Sequence, residues 1–342
     1  MWSRAGPTLR RARQAAGLSV EAPVCLSLDP EAVRFDSVRH SHSRQAAGWI
    51  ALLVYFVATT SNVHGAEVSI RVDSPAPHAV ITEQHVVVRG TVAIASGTEF
   101  AVTVNNFPAL VHDRTFAAVV PIPGFAEPPT ALIVVAADET GHSLVQDSIP
   151  VTVHLANSAP DVELRASEYV GIAPLAVTFH GWSAAPVEVA TFDSRGDGRV
   201  DYRGPTLDVP AMTYQAPGIY LPALTVNGTH RAVAILRVYA KKDLDALLQE
   251  KWSGMRGALR RGDVDGAVRF FAIEQRETYR KTFNALTIPV ADMGRLLGEI
   301  TFQKIAGLRA EYEMVVDEGG QRRSELVVFV LDRDGIWRLK FV

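Results

Sequence analysis

GIAPLAVTFHG (171–181), followed by FDSRGDGRVDY (192–202) and YQAPGIYLPALTVNG (214–228), sets the strand and turn signals of one module in a fixed order. Pro174 fixes an extended lead-in, and Leu175, Val177 and Phe179 then alternate toward one face at the period of two that a half-buried strand requires. Aspartates and glycines crowd the segment from Asp193 to Asp201, which reads as a loop. Pro217-Gly218 marks a turn, and Tyr220, Leu224 and Val226 lie on the strand predicted after it.

These three ordered motifs resemble the PKD domain, a small β-sandwich of extracellular and cell-surface proteins, over about residues 160–240. The resemblance implies an extracytoplasmic modular protein in which this module serves as scaffold. Upstream, VSIRV, HVVVRGTVAI, EFAVTVN, TFAAVVPI, ALIVVAAD and IPVTV recur between Val68 and Val153 at the spacing of an all-β sandwich. Asn105-Asn106 supplies the positive φ that a tight hairpin needs, and Asp138 to Gly141 offers a second turn. Residues 66–155 are similar in this order to the bacterial Ig-like modules of secreted glycosidases and surface proteins, where Asn-Gly usually stands in place of Asn105-Asn106. The linker HLANSAP (154–160) joins the two β modules.

No lysine precedes Lys241 and no histidine follows His230, and at that point the period changes from strand to helix. Leu244, Leu248, Trp252, Met255 and Leu259 form one apolar helical face, which Arg260, Arg261 and Gly262 close with basic charge and a C-cap. A second helix is predicted from Val264 to about Leu286, with Ala267, Phe270, Phe271, Tyr279 and Phe283 inward; a short third follows Pro289 through Ile300. ITFQKIAGL, RAEYEMVV, SELVVFVL and GIWRLKFV read as four strands. Helices followed by an antiparallel sheet make an α+β layer, and the order resembles the NTF2-like or cystatin-like folds that curl a sheet around a helix. The predicted fold class is therefore multidomain. A presequence and signal peptide (1–65) lead into two all-β Ig-like sandwiches (66–155 and 160–240) and a small α+β domain (241–342).

A net charge of −3 over 342 residues provides no basic field, which excludes nucleic acid as an electrostatically favoured partner. AAGWIALLVYFVA (46–58), preceded by Arg39 and Arg44 and followed by small residues, has the layout of a secretory signal with cleavage after Gly65. Its apolar run is short of the roughly 20 residues that span a bilayer, so the membrane enters only through an uncleaved signal anchor. Cys25, the single cysteine, falls in the segment to be removed and leaves no intramolecular disulfide.

Three constellations could carry function. Asp193, Asp197 and Asp201, with Gly198, match part of a calcium loop, and the resemblance implies calcium because some PKD modules carry a related aspartate-rich loop. Arg195 occupies a ligand position and Gly204 stands where a glutamate often closes such a loop, so the plainer reading has the aspartates capping turns without a cofactor. Tyr279, Asp292, Glu299 and Tyr312 are the proton-transfer groups that a pocket in the last domain could use, the plainer reading being core tyrosines and solvated carboxylates. Trp182, Tyr202, Tyr214 and Tyr220 offer a sugar-stacking platform or ordinary core aromatics. His78 and His85, seven apart, lack metal-ligand spacing, and no GxSxG elbow, HExxH helix or phosphate loop occurs. The reading these support is a non-catalytic, exported bacterial protein that binds protein or carbohydrate, or acts as a spacer, at the cell surface or in the periplasm. Two alternatives stay open: a small-molecule enzyme or ligand-binding protein working through a C-terminal pocket, and a structural subunit self-associating through sheet edges.

Overall fold

The first β run closes into a sandwich because its apolar residues alternate along every long strand. In the computed structural model, which describes residues 68–94, 99–122, 130–155, 162–318 and 321–341, this unit has nine strands. They are β1 (Ser69–Ser74), β2 (Ala79–Ile81), β3 (His85–Ala93), β4 (Phe100–Val104), β5 (Phe107–Pro108), β6 (Leu110–His112), β7 (Thr115–Pro121), β8 (Ala131–Asp138) and β9 (Ser143–Val153). The export segment, its cleavage site and Cys25 lie outside the described residues.

One sheet runs β1-β3-β7-β6 and the other β2-β9-β8-β4-β5, with only the β2–β9 pair parallel. Two such sheets, which pair consecutive strands such as β8 and β9 with distant ones such as β3 and β7, are the Ig-like arrangement. Val88, Val102, Val104, Leu132, Val134 and Ala136 are fully buried between them. Asn105 and Asn106 sit at φ 48° and 69°, the left-handed pair that a two-residue hairpin requires, and the Asn105 side chain also accepts the Ile133 N–H at 2.8 Å.

The second β unit is built from shorter pieces in four small sheets: β10 (Val162–Ala166), β11 (Val170–Ile172), β12 (Leu175–Val177), β13 (Phe179–Ser183), β14 (Ala190–Asp193), β15 (Tyr202–Gly204), β16 (Met212–Tyr214), β17 (Gly218–Tyr220), β18 (Ala223–Val226), β19 (His230–Val233) and β20 (Leu236–Tyr239). Val177 and Phe179 point inward as their period predicts, against buried Phe192, Leu224 and Val226. The strand predicted through Tyr220 and Val226 is in fact two. Pro222 lacks an N–H and the Leu221 N–H turns to the Arg195 carbonyl at 3.2 Å, so β17 joins β11 and β20 while β18 joins β14 and β19.

In the C-terminal unit, α1 (Lys241–Arg260) buries all five residues of its predicted stripe to 1 % exposure or less. It stops at Gly262, whose φ of 73° suits glycine. The second helix is not continuous, contrary to the expectation from its periodicity. It is α2 (Val264–Val268), a 3-10 turn at Ile273–Gln275, and α3 (Arg276–Asn284). Tertiary pairing breaks it: the Leu339 N–H donates to the Phe270 carbonyl at 2.8 Å and the Ala272 N–H to the Leu339 carbonyl at 2.7 Å. The helix α4 (Val290–Leu296) likewise ends before Ile300, which begins the sheet.

That sheet is an antiparallel meander of β21 (Ile300–Ala306), β22 (Arg309–Glu318), β23 (Gln321–Leu331) and β24 (Trp337–Phe341). Its inner face of Tyr312, Met314, Val327, Phe329 and Leu339 packs on α1. The second β unit contributes to the same core through Val170, with Tyr169, Ile172 and Tyr239 packed against it, and Trp337 Nε1 donates to the Tyr239 hydroxyl at 3.1 Å. The compositional break near residue 240 is therefore a change of secondary structure inside a shared apolar interior.

Candidate functional site

The aspartate loop leaves β14 at Asp193, whose two carboxylate oxygens are occupied by the chain that follows. Oδ1 accepts the N–H of Arg195 at 3.0 Å and of Gly196 at 2.7 Å, and Oδ2 accepts that of Gly198 at 2.7 Å. Gly196 and Gly198 adopt φ of 74° and 89°, which lets these amides converge on one side chain. Asp197 caps the Arg199 N–H at 2.9 Å, and Asp201 accepts both the N–H and the hydroxyl of Ser194. The Ser194 hydroxyl holds the Asp201 carboxyl below its ordinary range. Beneath, the buried Tyr214 donates its hydroxyl to the Ser194 carbonyl at 2.7 Å. The carboxylates thus terminate local turns rather than face one common point, and among the described residues no group of three or more His, Cys, Asp or Glu is placed to hold a metal ion. Asp193→Ala is expected to cost about 2 kcal/mol, the scale of a charge-assisted capping network. In urea titrations the same loss should appear with chelator and with excess calcium; a wild-type midpoint that rises with calcium would contradict this.

Tyr279, Asp292, Glu299 and Tyr312 are each engaged separately. Tyr312 is fully buried in the core and donates to Asp245 at 3.0 Å, with burial and that carboxylate both pushing its hydroxyl pKa up. Tyr279 stacks on Phe271 with ring centroids 3.9 Å apart. Asp292 pairs with Arg295 on the same helix, and the exposed Glu299 pairs with Arg256 at 2.6 Å. The inner sheet face beside Tyr312 is filled by residues of α1. Of the aromatic platform, Tyr214 is core and Tyr220 tilts against it at 4.5 Å, its hydroxyl donating to the Ala216 carbonyl. Tyr202 is half-buried against Thr206, which leaves Trp182, 52 % exposed, as the one of these four rings open to a sugar face. His78 occupies a positive-φ turn, and burial lowers the pKa of His85 on β3.

A groove of about 560 Å³ lies elsewhere in the C-terminal unit, between α1 and α2. Its lining includes Glu250, Gly254, Gly257 and Arg261, then Arg269 and Phe270 after α2, and Glu139 of the first sandwich. A Cβ on Gly254 would lie 2.5 Å from the Phe270 ring, so glycine permits that wall to close on the helix. None of the four proton-transfer candidates lines this groove. The sequence reading missed these residues because glycines inside a helical stripe signal close approach without naming the partner. It also missed Arg338, 2 % exposed between two buried apolar neighbours on β24. The DRDG turn at 332–335 was its only local signal.

No protein-family model and no curated protein matches this chain. Solved structures similar to parts of it include fibronectin(III)-like modules of Clostridium thermocellum CbhA, at 15 % identity over 51 % of this chain and 94 % of that one, with a TM-score of 0.19. The tandem Ig repeats of Dlar align at 10 % identity over 52 % of this chain and 100 % of that one, TM-score 0.23. The Escherichia coli adhesin FdeC aligns at 16 % identity over 51 % and 65 %, TM-score 0.20. With scores this low, the architecture rests on the strand order and cores described above. Among the described residues no helix is long and apolar enough to cross a membrane.

Proposed function

We propose that this chain is a non-catalytic modular protein that works outside the cytoplasm, binding protein or carbohydrate, or acting as a spacer, at the cell surface or in the periplasm. What supports the reading is that each proton-transfer candidate has its own separate partner, in a chain whose described residues open with two β units. The export signal of residues 46–58 supplies the address. On this reading the second sandwich is PKD-like and the last unit NTF2-like or cystatin-like, a helix laid across a curled meander. Register shifts at Phe302/Lys304 and Val328/Phe329 are irregularities of the kind that let a meander curl.

Envelope fractionation followed by N-terminal sequencing is expected to recover a chain beginning at Ala66, and glycan and envelope-protein arrays to detect binding without turnover. Recovery of the intact chain in the cytoplasm would overturn the location, and turnover of any arrayed small molecule the non-catalytic role.

A further inference from the structure

The first sandwich meets the C-terminal unit without sharing its apolar interior. Among the described residues, the core of the first sandwich draws only on positions between Ile70 and Leu155, while the C-terminal core recruits residues of the second sandwich and none of the first. Besides a close backbone approach of Gly335 to Ala109, the side-chain contacts between the two among the described residues are polar. Lys251, 7 % exposed in the middle of α1, forms an ion pair with Glu99 at the start of β4. The Glu139 carbonyl, in the turn after β8, accepts from two guanidinium groups, Arg338 at 3.1 Å and Arg276 at 3.3 Å. Toward the second sandwich, Arg89 donates to the Gly196 carbonyl at 3.1 Å.

We propose that the first sandwich is a dockable unit held on the C-terminal unit by a polar latch, Lys251 with Glu99 and Arg276 and Arg338 with the Glu139 carbonyl, and that its release opens the groove between α1 and α2. An apolar contact between units gains free energy in proportion to the area it removes from water, whereas an ion pair drawn from solvent returns little beyond its desolvation cost. The groups facing Glu99 are Lys251, Arg338 and Glu139, and burial raises the Glu99 carboxyl above its ordinary value in spite of the two cations. Such a pair sets the position of the docked unit more than it secures it. Because Glu139 lines the groove together with residues of the C-terminal unit, undocking withdraws that one residue and leaves the others in place. A ligand that touches both units favours the docked state, and one that needs the open groove favours the released state.

The test uses the full chain with Cys25→Ser and spin labels on cysteines replacing the exposed Val80 and Leu296. One narrow distance is expected for this background. Glu99→Lys, which sets two cations face to face, should make a second, different distance the larger population, and the milder Glu99→Gln should populate it partly. Exchanging the charges, Glu99→Lys with Lys251→Glu, should restore the single distance. Unchanged distances in both Glu99 variants, with far-UV circular dichroism preserved, would overturn the latch, as would failure of the exchanged pair to restore it. The measurement contains no ligand, so its outcome stands apart from the proposed function.

Discussion

Arg338→Met is expected to lower the unfolding free energy of the C-terminal unit by about 3–5 kcal/mol, the scale for removing one partner of a buried ion pair. The guanidinium is 2 % exposed and meets Asp334 through two hydrogen bonds, at 2.6 and 2.7 Å, and Asp332 at 3.1 Å. Without it, two carboxylates in a tight turn lose their hydrogen-bonded cation and keep only the more distant charge of Arg276, and the Glu139 carbonyl loses a donor. Methionine fills similar volume, so most of the loss is electrostatic. The pH dependence separates this cause from lost packing. Burial alone would raise the Asp334 carboxyl, yet the hydrogen bond and charge of Arg338 hold it below its ordinary 3.8. A depressed folded-state value contributes stability that is fully present above the unfolded value, about pH 4, and is lost as pH falls through the folded one. Urea titrations should therefore show the wild type losing this increment in acid below about pH 4, with the variant's deficit shrinking there. A deficit that stays constant from neutral pH into that acid range would assign the effect to packing.

Trp252→Ala should cost a comparable 3–5 kcal/mol, as large-to-small changes at fully buried aromatic positions do. The ring is 0 % exposed at the centre of α1, and its Nε1 donates to the Gly298 carbonyl at 2.9 Å just before β21 begins. The substitution opens a cavity under the meander and also leaves that carbonyl without its donor. Trp252→Phe, which keeps most of the volume, should cost only about 1–2 kcal/mol for the lost hydrogen bond. Because Tyr169, Val170, Ile172 and Tyr239 pack into the same core, calorimetry should show the second sandwich and the C-terminal unit unfolding together and shifting down together in Trp252→Ala. The transition of the first sandwich should stay in place. A uniform shift of every transition would mean that the polar interface couples the units as strongly as the shared core does.

Features encoded by near neighbours were legible without coordinates. The stripe Leu244, Leu248, Trp252, Met255 and Leu259 repeats at helical steps and is buried as read. Asn105-Asn106 marks its hairpin, and Val177 and Phe179 alternate inward. The aspartate loop was legible in its alternatives: Asp193, Asp197 and Asp201 bond the amides and hydroxyl of their own loop, partners within eight positions of each other in the chain. For the pocket candidates the plainer alternative, core tyrosines and solvated carboxylates, matches Tyr312 buried under α1 and Glu299 exposed, but their partners Asp245 and Arg256 carried no local signal.

By itself, then, the sequence determined the longer strands of the first unit, the tight turn at Asn105-Asn106, the first helix after Lys241 and the four strands that end the chain, while short strands such as Ala79–Ile81 and Leu110–His112 carried no signal of their own. Periodicity and turn chemistry are properties of residues a few positions apart. Only the tertiary structure decided where those patterns are interrupted: the helix expected through Phe271 breaks because β24 takes its backbone, and the strand expected through Leu221 divides between two sheets. It alone decided that the second sandwich shares a core with the C-terminal unit, while the first docks on it through Lys251 and Glu99, 152 positions apart. Contacts at that separation depend on how completed units present their surfaces to each other, and no local pattern of residues records it.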